Sequence, residues 1–137
     1  MSAEENKALV RRWFEAIDRG DLDAIDELLD PDYIDYNPPL PTQAPGREGV
    51  RQSSLALDKA FEDVKHIIED QIGEGDKVMT RVYVRATFVG AFMGFEPTGK
   101  VVEMRGIAVH RVANGRLVEH WAQADWAGLM QQVGGRV

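Results

Sequence analysis

The chain has 137 residues, enough for one domain with a real core, and its 44% hydrophobic and 28% charged residues exclude disordered and fibrous classes. A formal net charge of −7 argues against a nucleic-acid partner, since phosphate binding needs clustered Lys and Arg, and it is expected to serve solubility. Cysteine is absent, which excludes disulfides, thiolate nucleophiles and cysteine-held metal and fits a cytoplasmic location.

The opening MSAEENK is acidic and polar, unlike a secretory or transit signal, and charges break every apolar run before it could span a bilayer. From Glu4 to Arg19, Leu9, Val10, Trp13, Phe14 and Ile17 recur at helical spacing and predict one buried stripe. Gly20 ends that helix, and Asp21 is placed to cap a short second one carrying Leu22, Ile25, Leu28 and Leu29 on one face. Asp30-Pro31 closes it. Residues 32–47 hold Pro38, Pro39, Pro41 and Pro45, which preclude regular helix or an inner strand. A third helix is expected from about Arg47 to Phe61, then strands at Val64–Ile72, Lys77–Phe88, Lys100–Val112 and Arg116–Asp125. No repeat or linker interrupts this order, so residues 1–137 form a single α+β domain, with helices covering one face of an antiparallel sheet.

Asn114-Gly115 is a two-residue hairpin signal. If those residues are the turn, Val112 faces Leu117, His110 faces Glu119, Ala108 faces Trp121 and Met104 faces Asp125. One face then carries Met104, Gly106, Ala108, His110, Glu119, Trp121, Gln123 and Asp125. The other carries Arg105, Ile107, Val109, Arg111, Val118, His120, Ala122 and Ala124. Neither is cleanly polar, so both should be covered, the second by a partner copy in a homodimer.

The runs GEGDKVMTRVYVRATFVGAFMGFEPTGK, RGIAVHRVANGRLVEHWAQAD and GLMQQVG, with the opening WFEAIDRGDLDAIDELLDPDYIDYN, resemble SnoaL-like polyketide cyclases of the nuclear-transport-factor-2-like superfamily over nearly the whole chain. The resemblance implies a cone in which three N-terminal helices pack on a strongly curved sheet around a pocket. It also implies a dimer and cofactor-free intramolecular aldol chemistry on a small, apolar, carbonyl-rich polyketide ester. The family's acid/base aspartate ends the EHW-x-x-x-D segment, which here is Asp125. A His-Asn pair that lines the family's pocket reads Tyr36-Asn37, and Trp126 stands where an acidic residue is common. Enolate isomerases, hydrolases and members that only bind share the fold and stay open as alternatives.

On the residues alone, Asp125 beside the apolar Trp121 and Met104 would be desolvated and its pKa raised, as a general base near neutral pH requires, or it would cap a helix starting at Trp126. Tyr36 and Asn37 can hold a developing enolate oxygen, or simply form a turn before Pro38. His110 either lines the pocket or is structural, because it lies roughly 20 Å along the strand from Asp125 at ~3.3 Å per residue. Glu119 is expected to pair with His110, His120 to pack on the outer face, and His66 to lie on the surface of the first strand. Trp13 and Phe14 are core or pocket wall, and the Phe92-Met93-Gly94-Phe95 turn rims the mouth or joins a dimer contact. No histidine pair has metal-ligand spacing, so no metal is expected.

Overall fold

Ser2 and Glu5 close a reciprocal capping box, each side chain 3.1 Å from the other's backbone N–H, and this starts α1 (Ala3–Asp18). The structure is a computed structural model that describes residues 2–40 and 43–134. In it α1 buries Leu9, Val10, Trp13 and Phe14, the stripe their spacing predicts. Gly20, at φ 67°, turns the chain out of the helix. The next helix, α2 (Asp23–Leu28), has Leu22 at its N-cap and no side-chain cap, so the expected Asp21 cap does not form.

The first departure follows directly. Leu29–Asp35 is a strand, β1, where the proline content predicted irregular chain. It sits at the sheet edge and pairs only with the last strand, in parallel, so Pro31 can lack an N–H without breaking an inner ladder. Pro41 lies outside the described residues. Helix α3 (Gly46–Ala60) leads into β2 (Phe61–Glu74), β3 (Lys77–Phe88), β4 (Val101–Ala113), β5 (Arg116–Ala124) and a fourth helix, α4 (Trp126–Gln132). The sheet order is β1-β5-β4-β3-β2, antiparallel except for β1. The α+β class is as expected; the sheet is mixed, with an added helix after it.

Curvature comes from interrupted pairing. β2 slips register against β3 twice, between Glu62 and Lys65 and between Ile68 and Asp70, with Asp63 at φ 53°. Each such irregularity bends and twists the strand. Two apolar clusters fill the concave side, one built on α1, α2 and the Val78–Val112–Leu117 end of the sheet, the other on Phe61, Phe88, Val102 and Leu129.

The hairpin register needs a correction. Asn114 (φ 52°) and Gly115 (φ 75°) form the turn, and Val112 does face Leu117. The pairing then slips by one: Arg111 faces Glu119, His110 faces His120, Ala108 faces Ala122 and Gly106 faces Ala124. Val118 is the extra residue. A one-residue slip moves every later side chain to the other face. His120, Ala122 and Ala124 therefore share the concave face with His110, while Glu119, Trp121 and Gln123 alternate with them. Gly106 fits this pairing closely: an added Cβ would lie 3.0 Å from Ala124 Cβ.

Candidate functional site

Between the helices and the concave face lies a cavity of about 530 Å³, walled by residues of both apolar clusters, Trp13, Phe14 and Tyr33 from one and Phe61, Ala86 and Val102 from the other. One set of its polar groups gathers where β1 and β5 meet. β1 carries Tyr33 and Asp35 at strand spacing to that end, Asn37 follows just past the strand, and Asp35 is the register partner of His120.

Asp35 Oδ1 lies 3.0 Å from His120 Nδ1 and also accepts the Asn37 N–H at 2.9 Å. Both side chains are largely buried, 13% and 18% exposed. A carboxylate oxygen accepts, so Nδ1 is the donor in this pair, and in the neutral ring the lone pair then lies on Nε2. The His110 ring stands 4.6 Å from that of His120, tilted by 33°. His110 is 1% exposed, and among the described residues neither of its ring nitrogens has a hydrogen-bond partner. Burial first, and the neighbouring His120 second, hold its pKa well below the ordinary histidine value, so it is neutral near pH 7. Burial, and then the Asp35 charge, push the Tyr33 phenol up, which keeps its O–H a donor. Asn37 Oδ1 accepts the Ala122 N–H at 2.9 Å, leaving its NH₂ as the part not so engaged.

The SnoaL-like polyketide cyclase family model matches residues 7–133. The chain belongs to the SnoaL-like polyketide cyclase family. It is 28% identical to the aklanonic acid methyl ester cyclase DnrD of Streptomyces peucetius over 92% of this chain and 88% of that protein. With the aklanonic acid methyl ester cyclase AcmA of Streptomyces galilaeus it shares 27% identity over 95% of this chain and 91% of the other. IdmH from Streptomyces antibioticus superposes with a TM-score of 0.83 at 33% identity, covering 95% of this chain and 99% of that one. TsrD from Streptomyces laurentii gives 0.86 at 26% identity, with 98% of each chain covered.

Within this SnoaL-like chain, the sequence-predicted residues divide. His110, Asn37, Trp13 and Met104 line the cavity. Tyr36 and Trp121 do not: their rings stack at 5.0 Å and 10°, Tyr36 is 47% exposed, and its hydroxyl donates to Glu119 at 2.6 Å. The strand alternation that aims Asp35 inward aims Tyr36 outward. Glu119, expected opposite His110, instead pairs with Arg111 as well as Tyr36, and both contacts hold its carboxyl below the usual range.

Asp125 also departs from expectation. It is exposed, it lies outside the cavity lining, and its Oδ1 accepts the Gly128 N–H at 2.9 Å as the N-cap of α4. The bulge at Val118 puts His120, rather than Glu119, opposite His110, and β5 ends at Ala124, so Asp125 opens α4 instead of extending the strand face. His66, expected on the surface, lines the cavity, and in the turn Phe92 is buried while Met93 and Gly94 are exposed. Asp35 and Tyr33 were missed because the prolines after them masked a strand. The alternation Tyr33, Asp35, Asn37 was the available signal.

Proposed function

We propose that this chain is an acid/base catalyst that closes a ring on a small carbonyl-rich ester by intramolecular aldol chemistry, with His120 as the base that Asp35 orients. The observation that carries this reading is the Asp35–His120–His110 arrangement at the β1–β5 end of an apolar cavity. His120 Nε2 takes the proton from a carbon flanked by two carbonyls, and the electron pair moves onto oxygen as an enolate. The donors for that oxygen are the Asn37 NH₂ and the Tyr33 O–H on the same wall, while neutral His110 packs its ring against His120. The enolate carbon then bonds to the ketone carbon of the same molecule. The ketone's π pair becomes an alkoxide, which takes the proton back from His120 Nε2 to give the hydroxyl product and restore the base. Two flanking carbonyls make the C–H acidic enough for an imidazole in a dry, positioned setting, so no electron carrier enters these steps.

The relatives' substrate, aklanonic acid methyl ester, is the first probe. His120→Gln and Asp35→Asn are expected to slow its ring closure by roughly 10²- to 10⁴-fold, the usual range for a positioned acid/base group. Unchanged rates in both variants would remove the pair from the mechanism. Absence of turnover of this ester and of simpler 1,3-dicarbonyls by the wild type would favour a binding module instead.

A further inference from the structure

A second carboxylate–imidazole pair stands away from the first, with His66 in the lining of the same cavity and Asp18 bonded to it from outside that lining. His66 on β2 meets Asp18, the last residue of α1: Asp18 Oδ1 lies 2.5 Å from His66 Nδ1, and Oδ2 accepts the His66 backbone N–H at 2.8 Å. The side chains are 17% and 21% exposed. A carboxylate in the last turn of a helix faces the negative end of its dipole, and α1 has no basic residue there to offset it. Asp18 is thus costly where it stands, and its two bonds to His66 are what it accomplishes.

Those bonds fix the ring. Nδ1–H is committed to Asp18, so Nε2 keeps its lone pair, and among the described residues it has no hydrogen-bond partner. Unlike the nitrogens of His110, Nε2 is not sealed from the cavity space. Phe14 stands between the two histidines, stacked on His66 at 5.1 Å and edge-on to His110 at 6.0 Å. In the sheet order β5 and β2 are separated by β4 and β3, so His120 and His66 stand on different walls. Three strand spacings of ~4.8 Å put them roughly 14 Å apart along the sheet, and less across its concave face. That is too far for both to serve atoms of one forming bond, and it suits the two ends of a flat polycyclic ligand.

We propose that His66, oriented by Asp18, is a recognition subsite that accepts a hydrogen bond from a phenolic or enolic O–H of the ligand, at the end remote from His120. This rests on the cavity being the substrate site, and it adds a chemical requirement: the ligand carries an acidic hydroxyl at its far end. The other titratable groups lining this part of the cavity, Asp21 and Asp58, are also acceptors, and burial raises the Asp58 carboxyl.

The test uses 2-naphthol and 2-methylnaphthalene, a pair of near-equal shape that differ in the hydroxyl, titrated calorimetrically into the full chain and its variants. In His66→Phe, which keeps the stack on Phe14, the affinity ratio of hydroxyl to methyl ligand is expected to fall roughly 3- to 10-fold, the worth of one hydrogen bond. Asp18→Asn is expected to reduce the ratio in the same direction, and it carries the test alone if the Phe variant does not fold. An unchanged ratio in either folded variant overturns the proposal, as does failure of both ligands to bind the wild type. Loss of the ratio in Asp58→Asn with retention in His66→Phe assigns the contact to Asp58 and overturns it too. Ring closure of the ester is a separate measurement. Turnover without the hydroxyl effect sinks only this subsite, and the hydroxyl effect without turnover sinks only the cyclase reading.

Discussion

His110 sits buried with two unsatisfied ring nitrogens, a state that costs about 1–3 kcal/mol relative to a well-paired or apolar group. His110→Leu, of similar bulk, is therefore expected to raise stability by about 1–2 kcal/mol while removing the ring that packs against His120, a trade between stability and function. The pH dependence has a definite sign. The folded-state pKa lies below the unfolded value of 6.5, so as pH falls below 6.5 the unfolded chain takes up a proton that the folded chain refuses. Stability at this residue is therefore full above pH 6.5 and declines below it until the folded pKa is reached. Thermal melts between about pH 7.5 and 5 should show a steeper loss for the wild type than for His110→Leu. Parallel curves would mean that His110 does not titrate as its burial implies.

At the scale of elements, the α1 stripe and the Asn114-Gly115 turn were legible, because each rests on local chemistry: helical periodicity in one case, positive φ at two residues in the other. Local chemistry did not reveal Val118. The turn fixes only the first rungs, and the slip beyond them is decided by partners on β4. The bulged register lets Arg111 pair with Glu119 and sets Ala122 and Ala124 opposite Ala108 and Gly106, so that the concave wall is small and apolar. Those pairings were visible in the sequence only to a reader who tried both registers. The cost of missing them fell on the site, since His120 faces the cavity and Asp125 lies outside its lining. A cap and a catalyst respond differently to substitution. Asp125→Asn is expected to leave turnover and melting nearly unchanged, and Asp125→Ala to cost about 1 kcal/mol of stability with turnover retained. A collapse of turnover in the folded Asn variant would return Asp125 to the mechanism.

For the whole molecule, among the described residues no helix is long and apolar enough to cross a membrane. The convex face of the sheet remains. The expected homodimer was assigned to a face that included His120 and Ala122; the corrected register replaces these with Trp121 and leaves Ile107 and Val109 in place. Ile107 is 47% and Ile67 42% exposed, Tyr36 stacks on Trp121, and Arg105 lies 4.6 Å over the Tyr83 ring. An apolar and aromatic centre with Arg81, Arg105 and Glu69 around it has the composition of an interface core with a polar rim, and it is self-complementary under a two-fold axis because both charges are present. We therefore expect a dimer through this face. Sedimentation at micromolar concentration should give a species of twice 15.3 kDa, and Ile67→Glu, which buries an unpaired charge in the contact and lies outside the cavity lining, should return it to the single-chain mass. Because Asp35, His120, His110 and His66 all come from one chain, the monomeric variant should keep its rate per chain. A wild type that sediments only at 15.3 kDa would leave the convex face without a partner copy.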